Sequence, residues 1–280
     1  MWSPPVAPLS LQVELLLLCK GHHRYYAGTM AIDNSTAEEL ARYKLGGNWR
    51  ARSFGAGRFS HTFLLGREGE DTGEGEEMIL SIGPPDDLLQ LFYEYRMMRQ
   101  EPEIHRLVSE QSSIPIPEIS AHDFSRTIID RDYLFMPRLP GRPLSEASLS
   151  RKEAERAHYQ WGRYIAELHK IVHPEGRYGY AGAHEPMSPA DTWRDAFFEM
   201  YRLELEDIRR AGIYGEEEYS YALGLLEKHG EIFSNVVSPI LCHGDIWVTN
   251  LMVDTDGSVT GVIDFDRACW GDPEWDLAIA

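Results

Sequence analysis

Apolar residues alternate with polar ones early in the chain and recur at helical spacing later. Residues 49–65 follow the order strand, glycine turn, strand, and residues 78–85 add a third apolar run typical of a strand. Ser150–Glu153 has the spacing of a capping box and predicts the start of a long amphipathic helix. Ser188–Asp191 predicts a second helix start of the same kind. The pattern therefore places strands first and long helices afterwards.

Three further segments change this picture locally. Apolar residues at helical spacing predict a helix from Asp87 to Gln100, and Pro102 suits the first turn of a new helix rather than a helix interior. Residues 66–77 are mostly Gly, Glu and Asp without periodicity, which predicts an exposed loop. Residues 251–263 contain two apolar runs around an Asp- and Gly-rich turn, which predicts a β-hairpin.

Composition limits the classes of partner. The chain has 280 residues, of which 43% are hydrophobic, and this suffices for one globular unit built as two lobes. Its net charge of −18 argues against binding to nucleic acid or to an anionic membrane, because phosphate groups attract clustered Lys and Arg. Three cysteines without paired spacing disfavour a disulfide framework or a zinc site and suit a reducing cytosol.

Residues 185–231 form an acidic segment with two interpretations. They contain twelve Asp or Glu residues and five Lys or Arg residues. The segment either attracts a cationic substrate, such as an amine or amino sugar, or is a charged, solvated helix surface, and the second interpretation is favoured.

The N-terminal residues 1–44 are interpreted as an extension of uncertain structure. Residues 9–18 are apolar, but they include Gln12 and Glu14 and have no basic residue before them, so neither a signal peptide nor a membrane span is expected. A more ordinary polar leader begins at Met30, and we hypothesise that the preceding residues are a gene-model addition. Detection of those residues in the native protein by mass spectrometry would reject this hypothesis.

The residues with the clearest chemistry follow Leu241. Asp245 precedes Asn250 by five positions, which is the spacing of a catalytic loop in which the Asp accepts the proton of a hydroxyl and the Asn binds a metal ion. The predicted hairpin then brings Asp264 close to Asn250, and Mg²⁺ prefers such hard oxygen ligands. A P-loop enzyme is excluded because the chain has no Gly-x-x-x-x-Gly-Lys-Ser/Thr run.

These motifs resemble the aminoglycoside phosphotransferase family of small-molecule kinases. The resemblance rests on Leu241–Asn250, on Val262–Asp266 and on Gly271–Ala278, and it extends more weakly back to Leu45. It implies an α+β, protein-kinase-like fold of two lobes, with a mostly antiparallel N-lobe (residues 45–138) that has one main helix and a larger helical C-lobe (residues 139–280). It also implies ATP and Mg²⁺ as cofactors and a small-molecule acceptor. A protein kinase is disfavoured because Gly271 follows Asp264 too closely for an activation segment.

The resemblance assigns roles to individual residues. Asp245 would be the catalytic base and His243 a support for the loop backbone, a structural role that we favour over direct catalysis. Asn250 and Asp264 would bind the metal ion. Asp272 and Asp276 match family positions too, but a turn at Asp272 and a helix start at Asp276 are the favoured explanations.

The nucleotide-binding residues implied by the resemblance include one departure from the family. Gly55 and Gly57 would cover the phosphates, and backbone near Phe135, Met136 and Arg138 would contact adenine. The third strand carries Ser81 where the family has a Lys or Arg, so the ion pair with the helix residue matching Glu101 is not expected. Either Arg52 or Arg58 could supply the missing charge.

Two readings of the whole chain follow. The favoured one is an ATP-dependent kinase for a small-molecule hydroxyl. The alternative is a catalytically degenerate kinase fold that binds or regulates, for which Ser81, Pro102 and the end of the chain at Ala280 are the reasons. Relatives continue beyond that point, so either the chain is a truncated product or the C-lobe is incomplete, and marginal stability is expected.

Overall fold

The computed structural model describes residues 32–56, 60–67, 77–87, 90–235 and 238–279. Residues Asp33–Ala280 form one compact unit. The predicted phosphate-loop residue Gly57, the candidate Arg58 and most of the loop predicted at residues 66–77 lie outside the described residues. None of the helices in those described ranges combines the length and the apolarity that a membrane crossing needs.

The first part of the unit is a five-stranded sheet in which every neighbouring pair is antiparallel. Its spatial order is β1, β2, β3, β5, β4. The inward side chains Phe63, Leu80 and Phe135 are almost completely buried, as expected for strands with one face on the core. The strands are β1 (Trp49–Ala56), β2 (His61–Arg67), β3 (Glu77–Ile82), β4 (Ala121–Asp123) and β5 (Tyr133–Pro137).

Helix α1 (Asn34–Leu45) lies within the segment interpreted as an extension. Asp33 caps it by accepting a hydrogen bond from the Thr36 amide at 2.8 Å, and Lys44 at its end pairs with Asp123 of β4 at 2.7 Å. The helix therefore contacts the sheet, while the proposed boundary between residues 44 and 45 stays a prediction.

The helix predicted from Asp87 to Gln100 is wrong for the described part of that segment. Residues 92–96 form turns and Met97–Gln100 form a short 3₁₀ helix. Arg96 has a positive φ of 59°, a left-handed conformation that cannot continue an α-helix. Helix α2 (Glu101–Gln111) directly follows the 3₁₀ helix, and Pro102 lies in its first turn, as predicted.

The second part of the unit is mainly helical and carries short strands. The Ser150–Glu153 capping box is confirmed at the start of α3, and buried Tyr164, Ile165 and Leu168 form its inner face. The helices are α3 (Arg151–Leu168), α4 (Trp193–Arg210), α5 (Glu216–His229) and α6 (Glu274–Ile279), and the strands are β6 (Arg142–Pro143), β7 (Gly179–Tyr180), β8 (Ile240–Cys242), β9 (Leu251–Val253), β10 (Val259–Val262) and β11 (Cys269–Gly271).

The helix start predicted at Ser188–Asp191 is wrong, because α4 begins at Trp193. Ala190 instead exchanges two backbone hydrogen bonds of 2.9 Å with Tyr178, which holds that residue in an extended conformation. Thr192 caps the helix by accepting from the Asp195 amide at 3.1 Å. The predicted inward face is correct at Trp193, which is buried.

Candidate active site

The catalytic loop, defined as residues 243–250, leaves the end of β8 in a sharp turn. Gly244 has a φ of +78°, and a Cβ at this position would lie 2.2 Å from the carbonyl oxygen of Arg267. Only glycine fits both constraints. The loop then closes on itself, because the Asn250 Nδ2 donates to the Asp245 backbone oxygen at 2.9 Å and to its Oδ2 at 3.0 Å.

His243 supports the backbone of this loop. Its ring is completely buried and packs against Phe265, with ring centroids 4.2 Å apart. The Asp245 amide donates to Nδ1 at 3.2 Å, so Nε2 carries the proton and donates to the Ile263 carbonyl at 3.1 Å. Burial lowers the pKa of His243, which favours this neutral form. These contacts agree with a supporting role.

The predicted hairpin is confirmed by strands β9 and β10, which pair in antiparallel register. Beyond the strands, the Ile263 amide donates to the Asn250 carbonyl at 3.0 Å, so the next residue, Asp264, emerges beside the catalytic loop. Asp264 has a φ of +71°. Such a conformation is uncommon for a residue with a side chain and is concentrated at functional sites.

The metal loop, defined as residues 264–266, carries an excess of negative charge. Desolvation by the surrounding protein raises the pKa of Asp264 to about 7, and the charges of Glu101 and Asp245 add to this effect. Burial and the Asp264 charge likewise raise the pKa of Asp266. A cation bound here would relieve that repulsion.

The oxygen donors at this position suit Mg²⁺. Asn250 uses its Nδ2 for the catalytic loop, which leaves its side-chain oxygen without a hydrogen-bond partner among the described residues. The Asp264 carboxylate lies across the hairpin from it. One amide oxygen and one carboxylate are hard ligands of the kind that Mg²⁺ accepts, together with phosphate and water.

Asp276 lies in the first turn of α6, as the helix-start interpretation predicts, but its carboxylate also binds other segments of the chain. Its side chain is completely buried. Oδ2 accepts from the His243 amide at 3.0 Å and from His169 Nε2 at 2.9 Å, and Oδ1 accepts from the Gly244 amide at 2.9 Å. One carboxylate thus joins α6, the end of α3 and the start of the catalytic loop. Asp272, by contrast, caps the adjacent turn by accepting from the Glu274 amide at 2.9 Å.

The residues matched to nucleotide binding lie on or next to the N-lobe sheet. Gly55 belongs to β1, and Phe135 and Met136 lie in β5, which Arg138 follows. Ser81 is half-buried on β3 and pairs in register with Thr62 and with Leu134. The guanidinium of the candidate Arg52 lies over the Phe54 ring at 5.7 Å.

Glu101 is buried at the start of α2 without a Lys or Arg ion-pair partner among the described residues. Its nearest basic group is the ring of His105, with 3.6 Å between Oε2 and Nε2.

Sequence reasoning missed two residues beside the metal loop. Gln100 contacts the carbonyls of Phe265 and Asp266, and Arg267 lies 3.6 Å from the Glu94 carboxylate. Gln100 falls in the wrongly predicted helix, and Arg267 directly follows a recognised motif. Nothing in a single sequence distinguishes them from surface residues.

A half-buried carboxyl group on α4, that of Glu204, lies close enough to Arg267 to interact with its charge. The Tyr180 hydroxyl donates to Glu204 Oε1 at 3.5 Å, and Tyr180 stacks on Tyr93 with centroids 5.0 Å apart. The Arg267 guanidinium lies 5.6 Å from the Tyr93 ring centroid. Burial, followed by the charge of Glu94, raises the pKa of Glu204 from 4.5 to about 7.

We expect Glu204→Gln to remove a pH dependence of stability. The folded protein holds a proton on Glu204 that the unfolded chain releases, so the free energy of unfolding falls as pH rises from about 4.5 to about 7. Relative to the parent, the variant should gain up to about 3 kcal/mol above pH 7 and nothing below pH 4.5. Urea unfolding of both proteins between pH 4 and pH 8 measures this difference. A difference that stays constant with pH would contradict the assignment.

Comparison with known protein sequences gives one family and several relatives. A model of the phosphotransferase enzyme family (APH) matches residues 51–280. A protein described as probable ketoamine kinase YniA of Escherichia coli (strain K12) is 26% identical over 190 residues, which are 62% of this chain and 56% of that protein. Viomycin phosphotransferase of Streptomyces vinaceus is 32% identical over 149 residues, which are 52% of this chain and 48% of that protein. The chain thus spans about half the length of these relatives.

Solved structures resemble most of this fold. A thermostable mutant of aminoglycoside phosphotransferase APH(4)-Ia in complex with ADP and hygromycin B has a TM-score of 0.61 at 19% identity, over 87% of this chain and 75% of that one. Spectinomycin phosphotransferase APH(9)-Ia in complex with ADP and spectinomycin has a TM-score of 0.57 at 13% identity, over 89% and 73%. At such low identity the likeness shows the fold alone, and it confirms the predicted two-lobed, protein-kinase-like α+β fold.

Proposed function

Because this chain belongs to the phosphotransferase enzyme family, we propose that it is an ATP-dependent kinase for a hydroxyl group of a small molecule. The observation that carries the proposal is the hairpin register at Asn250 and Ile263, whose backbone groups are 3.0 Å apart. Asn250 bonds to Asp245, and the charge of Asp245 contributes to the raised pKa of Asp264, so the three side chains are neighbours. This arrangement supports a proton acceptor beside a metal-binding pair, as phosphoryl transfer requires.

Asp245 would orient the acceptor hydroxyl and take its proton. The hydroxyl oxygen attacks the γ-phosphorus, and the bond from that phosphorus to the bridging oxygen of ADP breaks. Asn250 and Asp264 would hold Mg²⁺, which neutralises phosphate charge when bound. The chain itself contributes mostly position and electrostatics.

The acceptor class follows from charge and from the named relatives. Two of those relatives are named for ketoamines and viomycin, and the two solved structures are an aminoglycoside phosphotransferase with bound hygromycin B and a spectinomycin phosphotransferase with bound spectinomycin. The excess of acidic residues in segment 185–231 supports an amine, an amino sugar or an aminoglycoside over an anionic acceptor. Neither nucleic acid nor a membrane surface is proposed as a partner, and a reducing cytosol suits the unpaired cysteines Cys242 and Cys269.

Calorimetric binding of ATP with and without Mg²⁺ tests the proposal. The parent should bind ATP more tightly with Mg²⁺ than without it. In the presence of Mg²⁺, Asp264→Ala should bind ATP at least about 10-fold more weakly than the parent, because it lacks one metal ligand. Asp256→Ala is the matched control, since Asp256 lies at the exposed hairpin turn and pairs with Arg156. It should bind as the parent does.

The second candidate function is a catalytically degenerate kinase fold that acts as a binding or regulatory protein and does not transfer phosphate. Ser81 and the lack of a Lys or Arg partner for Glu101 among the described residues favour it, because the family's charged contact to the phosphates depends on that ion pair. Failure of the folded parent to bind Mg²⁺ and ATP would support this candidate and reject the kinase.

A further inference from the structure

Gln100 joins three separate segments through one buried side chain. It is the last residue before α2 and is 5% exposed. Its Oε1 accepts from the Gly182 amide at 2.6 Å, and its Nε2 donates to the carbonyls of Phe265, at 3.4 Å, and of Asp266. Both the oxygen and the nitrogen of the amide are therefore hydrogen-bonded. Both acceptors of Nε2 are backbone carbonyls of the metal loop.

A fully paired buried amide specifies one arrangement of the groups that it joins. Donors and acceptors interact strongly in a low-dielectric interior, and any displacement of one segment leaves a buried group without a partner. Gln100 thus couples the backbone of the metal loop to the start of helix α2 and to the residues that follow β7.

This coupling lies next to Glu101, which has no Lys or Arg partner in the part of the chain that the structure describes. Ser81 carries no charge, and Glu101 contacts only the ring of His105 among the described ionisable residues. A second contact runs parallel to Gln100, because Arg267 pairs with Glu94 at 3.6 Å and Glu94 accepts from the Leu91 amide at 2.9 Å. The segment 91–100 is thus held against residues 265–267 from two positions.

We propose that Gln100 is a positioning residue that fixes the metal loop relative to helix α2. This inference rests on the proposed function, since the metal loop matters only if Asp264 binds Mg²⁺. Gln100 itself touches neither the nucleotide nor the acceptor in this proposal. It acts through the backbone of Phe265 and Asp266, which sets the direction of the Asp264 carboxylate.

Gln100→Met tests the proposal because it keeps the side-chain length and removes every hydrogen bond. The matched control is Gln160→Met. Gln160 is half-buried on α3, where its amide accepts from Val259 at 3.3 Å and donates to Gly257 at 3.5 Å, at the far end of the hairpin. Both variants lose the same kind of amide bridge, but only one of the two bridges reaches the metal loop.

We expect Gln100→Met to raise the Mg²⁺ concentration for half-maximal ATP binding by about 10-fold or more, as loss of a supporting contact does at metal sites. Hydrogen exchange at the amides of Ile263 and Ala268, on either side of the metal loop, should also become faster. Gln160→Met should change neither quantity. A folded Gln100→Met protein with the parent's Mg²⁺ dependence and the parent's exchange rates would overturn the proposal.

Two outcomes need separate interpretation. If the parent does not bind Mg²⁺ and ATP, the proposed function fails, and the exchange rates alone decide whether Gln100 positions the loop. If Gln100→Met does not fold, Gln100→Glu replaces it, because a carboxylate keeps the acceptor for Gly182 and loses the donor to the metal loop. Unchanged exchange and Mg²⁺ dependence in that variant would likewise overturn the proposal.

Discussion

Asp245→Asn should lower turnover by about 10²- to 10⁴-fold, the usual contribution of a positioned general base. The amide has the size of the carboxylate, so the catalytic loop should keep its shape around Gly244 and Asn250. It cannot take a proton from the acceptor hydroxyl. The loss should therefore fall on the rate constant of turnover, with little change in ATP affinity.

Steady-state kinetics of phosphate transfer to an accepted substrate measure this effect. The control is Asp254→Asn, because Asp254 lies at the exposed hairpin turn and accepts from the Thr255 amide at 2.6 Å. Its turnover should match that of the parent. Full activity of Asp245→Asn would remove Asp245 from the mechanism.

Asp276→Ala should be the most destabilising of the substitutions considered. The change leaves the buried amides of His243 and Gly244 and the ring of His169 without their acceptor. Each unpaired buried donor costs about 1–3 kcal/mol, so the free energy of unfolding should fall by about 3 kcal/mol or more. The catalytic loop also loses its anchor, and turnover by the fraction that stays folded should fall by about 10²-fold.

Urea unfolding and single-turnover kinetics on the same preparation separate these two effects. Asp272→Ala is the matched control four residues earlier, where the carboxylate makes a single cap contact to Glu274. It should lose about 1 kcal/mol or less and keep its turnover. Equal effects of the two substitutions would show that Asp276 is only a helix-start residue.

Local patterns in the sequence determined much of the fold. The capping box at Ser150, the helix start at Pro102 and the hairpin around Gly257 depend on contacts within a few residues, so their sequence signals suffice. The ordered motifs at His243, Asp245 and Asn250 identified the family, which the family match confirms. The roles of these residues stay predictions.

Errors arose where distant contacts overrode local spacing. The apolar stripe before Gln100 is periodic, but the segment turns at Arg96, and Phe92 donates its amide to Asp207 of α4 at 2.6 Å. The start of α4 moved to Trp193 because Ala190 pairs with Tyr178. In both places a residue outside the predicted helix forms a hydrogen bond with the backbone. That tertiary contact outweighs the local helix propensity.

The sequence alone determined the family and predicted the reaction class and the residues that could bind a metal ion, because the family's motifs occur in a fixed order along the chain. Only the tertiary structure decided what holds those residues in place. Asp276 reaches the catalytic loop from 33 positions away, and Gln100 reaches Asp266 across 166 positions. Such contacts depend on how separate elements pack, and local spacing carries no information about that packing.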